Sequence, residues 1–202
     1  MLKKTLCAAL AVIAVSQSFG QAISSITPDP GSTFNNGNGY TLGWTFTVGA
    51  NNLFVTALGY FDNRADGLAE KHQVGIFDSS ANLQLASTVT TVDPLTGLFR
   101  YNSNMAGSNL LLANTTYVIG GSSGTVDEYT FNPTAITFDP NITFNNANFV
   151  SDGGFSLNFP GSTDPSVGFF GPNFKFEAVP EPASMVAMGA GLIAMIVKRR
   201  RK

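Results

Sequence analysis

Asn82-Leu83-Gln84-Leu85-Ala86-Ser87-Thr88-Val89-Thr90-Thr91-Val92 places Leu83, Leu85 and Val89 on one parity and Gln84, Thr88 and Thr90 on the other. A repeat of two puts successive side chains on opposite faces, so this stretch predicts a half-buried β-strand. Phe174-Lys175-Phe176-Glu177-Ala178 repeats the habit, with the two phenylalanines inward. Working outward, Tyr40–Val48, Leu53–Asp62, His72–Asp78, Leu98–Asn102, Asn114–Gly121, Ala135–Phe138 and Gly154–Phe159 read as further strand runs. Breakers such as Gly49-Ala50-Asn51-Asn52 and Asp93-Pro94-Leu95-Thr96-Gly97 divide them. Only Ala65–His72 has a helical look. About nine strands at this spacing predict an all-β, antiparallel β-sandwich, jelly-roll-like in type.

Composition agrees with a strand-and-turn body. Charged residues are 12% of the 202, against 21 Gly and 10 Pro, where soluble domains average roughly 25% charged. The net charge of −2 hides a separation. Between Lys4 and Lys198 there are four cations (Arg64, Lys71, Arg100, Lys175) and all thirteen acids, a net of −9. Such a body repels phosphate backbones, so nucleic acid is not an expected partner. The one cysteine, Cys7, lies in the N-terminal leader, which leaves the rest of the chain without thiol or disulfide chemistry.

The two ends read as processing segments. Residues 1–22 carry Lys3 and Lys4, an apolar run from Leu6 to Val15 and then small residues, the three parts of a secretory signal peptide. Cleavage is expected before Gln21 or before Ile23, which leaves residues 23–178 as the exported domain. At the other end, Val179-Pro180-Glu181-Pro182 precedes an uncharged apolar stretch, 183–197, and five consecutive cations, Lys198, Arg199, Arg200, Arg201 and Lys202. Fifteen helical residues reach ~22 Å against a ~30 Å hydrocarbon core, so 183–197 is expected to be a short transmembrane helix that spans only with local thinning or snorkelling. The basic block stays cytoplasmic by the positive-inside rule.

That order of Pro-Glu-Pro motif, short apolar helix and basic tail resembles the PEP-CTERM sorting signal of Gram-negative bacteria. The resemblance covers residues 179–202 and implies a membrane protease-transpeptidase, exosortase, as the partner acting at 179–182. It further implies export across the inner membrane with help from signal peptidase, a transient membrane anchor, then release or transfer to the cell surface, in organisms that often make exopolysaccharide. The body, through Val55–Val89, Phe99–Asn102, Leu111–Gly121 and Gly168–Pro182, is also similar to a group of PEP-CTERM surface proteins of unassigned function.

Gly120-Gly121-Ser122-Ser123-Gly124 matches the G-x-S-x-G pattern, yet no helix is expected after it and the only histidine, His72, lies upstream. A lone histidine excludes zinc sites built on two or three of them. Gly37-Asn38-Gly39 lacks the third glycine of a dinucleotide fingerprint, Leu42 standing in its place. Trp44, Tyr60, Tyr101 and Tyr117 have rings that could stack on sugars, though in a sandwich most aromatics are core. Asp62-Asn63-Arg64-Ala65-Asp66-Gly67, followed by Glu70 and His72, partly resembles a calcium loop, with Asp62 and Asp66 as weak candidate ligands. Arg64 at a ligand position and Gln73 in place of the bidentate Glu argue against it. A structural turn, with Asp62 closing a strand and Arg64 neutralising acids, is the alternative. The expectation is therefore no catalytic residue, no cofactor beyond a possible structural calcium, and a non-catalytic surface or matrix protein. A carbohydrate-binding module or carbohydrate-active enzyme is the alternative.

Overall fold

The computed structural model describes residues 19–29, 31, 33–34, 39–151, 156–165 and 168–179. The leader before Phe19, Pro180–Pro182, the expected helix 183–197 and the basic tail 198–202 lie outside them. The strands are β1 (Phe19–Gln21), β2 (Ile23–Thr27), β3 (Thr33–Phe34), β4 (Tyr40–Val48), β5 (Asn52–Phe61), β6 (His72–Asp78), β7 (Leu83–Val89), β8 (Leu95–Thr96) and β9 (Phe99–Asn102). They continue as β10 (Ala106–Gly107), β11 (Leu110–Leu111), β12 (Thr116–Ser122), β13 (Tyr129–Phe131), β14 (Ala135–Phe138), β15 (Ile142–Ser151), β16 (Ser162–Asp164), β17 (Phe169–Phe170) and β18 (Pro172–Val179). One 3-10 turn, Asn63–Ala65, is the only helical element among the described residues. The stretch Ala65–Lys71 is thus turn and loop, and His72 opens β6, because Arg64 and Ala65 take positive φ and end the turn at once.

Among the described residues every strand pairing is antiparallel. The larger sheet has the order β10-β7-β6-β12-β4-β15-β16; the second runs β1-β18-β5-β9-β8, with β11 also on β5. They share one hydrophobic core. Trp44 of β4 stacks near Phe174 of β18 at 6.3 Å, and its indole N–H donates to the Pro172 carbonyl at 3.1 Å, so one side chain ties the two sheets together. Phe46, Phe138 and Phe144 crowd the same indole, and ring pairs of this kind add to plain area burial.

β7 shows where alternation gives way to packing. Leu85 and Val89 are buried, but Leu83 is half exposed, because Ile76 and Phe77 face Leu85 and Leu83 and leave Gln84 as a bulge that breaks the alternation of β7. The stretches Ile26–Asn36 and Ile136–Asn146 agree at eight of eleven positions, and Ile26 of β2 and Ile136 of β14 are direct cross-strand partners. The two copies then diverge, one into β3 and the other into β15.

On the outer face of the larger sheet, Gly43, Gly120 and Gly75 lie in register across β4, β12 and β6. The segment 156–161 crosses over them. A Cβ at Gly75 would meet Leu157 at 2.6 Å, and one at Gly120 would meet Pro160 at 3.3 Å. Thr41, Gln73 and Asn148 hold that segment through hydrogen bonds to its main chain. At Gly43 the conflict is within the sheet, where a Cβ would stand 1.8 Å from the Ile119 carbonyl oxygen. Gly43→Ala is therefore expected to lower stability in urea unfolding by ~1–3 kcal/mol or more. Gly161→Ala, whose added methyl meets nothing nearer than 3.4 Å, should stay within about 0.5 kcal/mol of the parent.

Candidate functional site

β5 delivers Tyr60 to the core, β6 begins with His72, and the chain after β12 brings Asp127 opposite them. His72 is fully buried. Its Nδ1 lies 2.8 Å from the Ser122 carbonyl, which can only accept, so Nδ1 carries a proton and Nε2 faces Asp127 Oδ2 at 2.9 Å. A proton between Nε2 and Oδ2 closes the pair. The Tyr60 ring lies flat on the imidazole, with centroids 3.7 Å apart and planes 2° from parallel.

The acids around this histidine accept main-chain N–H groups. Asp127 accepts the N–H groups of Ala69 and Glu70, both at 2.9 Å. Glu70 returns the contact: its Oε1 accepts from Thr125, Val126 and Asp127 main-chain N–H at 2.6, 2.5 and 3.2 Å. Each loop thus supplies a carboxylate that caps the other loop's amides. Donor atoms of Glu70, His72 and Asp127 lie within 4.8 Å of one another, a spacing one cation could bridge. Yet three N–H dipoles converge on Glu70 Oε1 and present positive ends to that space. The arrangement reads as a latch between two loops.

Burial alone would raise the Asp127 carboxyl, but the His72 hydrogen bond and the two main-chain N–H groups outweigh it and hold it below the ordinary carboxylate range. Burial pushes the Tyr60 phenol far up, with the Asp127, Tyr129 and Glu70 charges adding to it. Its hydroxyl is one of two buried side-chain polar atoms without a hydrogen-bond partner among the described residues.

Beside the latch, Asp62 follows β5 and is 1% exposed. Its carboxylate receives Arg100 Nε at 2.7 Å and the Gly67 N–H at 3.2 Å. Arg100 of β9, not Arg64, supplies the neutralising charge. Gly67, at φ +115°, makes the turn that brings its N–H back to Asp62. Asn63 bonds Glu128 across a cleft of about 140 Å³ that Asp62, Arg64, Asp66 and Asp127 also line. Asp62 and Asp66 do share this cleft, but Asp62 is spent on the guanidinium.

Ser122 and His72 are neighbours, as a nucleophile and base would be, but through the wrong atom. The imidazole meets the Ser122 carbonyl, while Ser122 Oγ is buried and accepts from the Gln73 N–H. Trp44, Tyr60, Tyr101 and Tyr117 are all at least 94% buried, so none of them presents a ring to a sugar. A larger groove of about 490 Å³ lies beside β7, with Gln73, Thr88, Asn102 and Asn104 as polar lining and Leu83, Met105 and Leu157 as apolar floor.

The remaining site is the chain's exit from the sheet. β18 runs between β1 and β5, and its last residue, Val179, pairs with Asn52. Val179 is the first residue of the expected motif; Pro180, Glu181, Pro182 and Lys198–Lys202 lie outside the described residues. Residues 178–202 match the PEP-CTERM protein-sorting motif. The PEP-CTERM motif marks an exported chain that is anchored in the membrane before exosortase processes it. No curated protein matches the chain. The PEP-CTERM match and β18 overlap at Ala178 and Val179, so the sheet passes into the signal with no intervening linker.

Sequence reasoning found His72 at a strand start and Asp62 at a strand end. It missed Asp127 and Arg100, whose partners stand 55 and 38 residues away, and no local pattern announces such pairs.

Asp127 gives a pH signature with a defined sign. Its carboxyl is lowered in the folded chain, so its contribution is present above the ordinary Asp range and lost as pH falls through the lowered value. Asp127→Asn should melt several degrees below the parent at neutral pH, and the gap should close on acidification below pH ~4. Differential scanning calorimetry across that range checks it; a gap that is constant in pH contradicts the latch.

Proposed function

We propose that this PEP-CTERM protein is an exported, non-catalytic component of the cell surface or extracellular matrix, associated with exopolysaccharide. The observation that carries the reading is the direct passage of β18 into the sorting motif, which makes the folded body the cargo of that signal. In the full reading, a signal peptide within residues 1–22 is removed by signal peptidase, and the body is a jelly-roll-like β-sandwich. Residues 183–197 are a short transmembrane helix, and 198–202 are its cytoplasmic stop. Exosortase acts at Val179–Pro182, after which the body is released or transferred.

Two features support the non-catalytic part. The buried histidine is held by Asp127 and the Ser122 carbonyl, Asp127 and Glu70 accept main-chain N–H groups, and the acidic cleft, at about 140 Å³, is below the ~300 Å³ at which ligand pockets begin. Of the two cleavage positions, the one before Gln21 fits better. Gln21 Oε1 accepts the Tyr101 hydroxyl at 2.8 Å, Asn173 brackets the Ile23 main chain, and Ala22 is fully buried. Cleavage before Ile23 would strip Gln21 and Ala22 from the sheet.

A carbohydrate-binding module is the second reading. The uncharged groove with Thr88, Asn102 and Asn104 on its wall favours it, since amides and hydroxyls match neutral sugar hydroxyls and its volume suits a short glycan. The primary reading is tested in the native host by replacing Pro180, Glu181 and Pro182 together with Ala. Intact-mass measurement should find the parent trimmed at its C-terminus and the variant full-length in the membrane. Normal trimming of the variant overturns the assignment.

A further inference from the structure

The outer face of the second sheet carries a row of residues in direct register: Phe19 of β1, Glu177 of β18, Phe54 of β5 and Leu110 of β11. Phe19 is 73%, Phe54 41% and Leu110 43% exposed. One step further toward the end of β18, Val179 is 38% and Leu112 51% exposed. Large apolar side chains that gather on one sheet end, with a rim of Asn52 and Asn109, form a patch of the kind that marks an interaction surface. Removal of Phe19 with a signal peptide would leave Phe54, Leu110, Leu112 and Val179 in place.

We propose that this patch is a lipid-contacting surface that seats the folded body on the bilayer while the chain is membrane-anchored; the proposal rests on the anchoring that the sorting signal requires. The length of chain beyond the sheet decides the occupant. From Val179, the last residue of β18, to Ala183, where the apolar stretch begins, there are four residue steps. Even fully extended they reach no more than ~14 Å. The headgroup layer on each side of the hydrocarbon is itself roughly 5–8 Å thick. The end of β18 is therefore held within ~14 Å of the hydrocarbon, no more than ~6–9 Å above that layer, and the patch surrounds that end. Short apolar stretches such as 183–197 also draw their flanks inward, which shortens the distance further.

The chemistry of the patch suits a zwitterionic surface. Phe and Leu side chains enter the boundary between headgroups and acyl chains, as on interfacial helices. Glu177, half-buried in the middle of the row, faces the choline or ethanolamine cations there. The net negative charge of the body keeps its other faces away from anionic lipid.

The test uses the full chain reconstituted in phosphatidylcholine vesicles, with and without dibrominated acyl chains, and tryptophan placed at Leu110, Leu112 or Val92. Trp44 is fully buried and gives a common background. Val92, 86% exposed, precedes β8, whose Thr96 pairs with Phe99 opposite Phe61, at the other end of β5. Leu110→Trp and Leu112→Trp should lose about half or more of the added emission to bromolipid, since interfacial groups sit ~5–10 Å into the boundary, and Val92→Trp almost none. Circular dichroism confirms that each variant is folded. If the chain floats with the vesicles but positions 110 and 112 are quenched no more than 92, the proposal fails while anchoring stands. Blue-shifted emission at 110 and 112 without quenching, growing with protein concentration, assigns the patch to a second copy and overturns the lipid reading. A chain that does not float overturns the anchoring and the proposal with it.

Discussion

The last strand of the body, β18, is the element on which the rest depends. It lies between β1 and β5, closing the second sheet, and its first residue accepts the indole hydrogen bond that joins that sheet to the larger one. Phe174 and Phe176 project from it into the core. Because Lys175 pairs with Ala57, the contact spans most of the body and its loop-closure cost is met only when the whole body is available. An exported chain with this topology completes its fold only after its C-terminal strand has emerged, when the sorting signal is already next to the membrane.

Polar groups buried around this core are spent on holding loops. The His72–Asp127 pair and the reciprocal Glu70 cap join the loop after β5 to the loop after β12. Arg100 neutralises Asp62 at the adjoining strand ends. Asn173 and Tyr101 fix the entering N-terminal segment against β18. In a body without disulfides, such buried networks specify one arrangement of long loops where apolar packing alone would allow several.

The strands were readable because alternation is a local property. β4, β5, β6, β7 and β18 fall where Tyr40–Val48, Leu53–Asp62, His72–Asp78, Asn82–Val92 and Phe174–Ala178 predict them, and the sorting signal is legible because its three parts are contiguous. Leu83 was misplaced because β7 carries an extra residue, Gln84, opposite Ile76 and Phe77, and a bulge of this kind breaks the alternation from which the face was read. The latch was illegible for a related reason. His72 reads as a polar strand start and Asp127 as one acid among many, and only the pairing of β6 with β12 brings them together. The echo at Ile26 and Ile136 was visible as sequence, but its meaning as a strand pair required the fold.

The central claim, that the body closes on β18 directly against the sorting motif, is tested most directly by native-state amide hydrogen exchange on the full chain. The account predicts that Phe174–Ala178 amides exchange only through global unfolding, with protection equal to that of Trp44 and Ile119 in the larger sheet. Exchange of those amides as fast as that of the loop at 91–93, with β4 and β12 still protected, would contradict it. β18 would then be a frayed tail, and the sorting motif would hang from a linker.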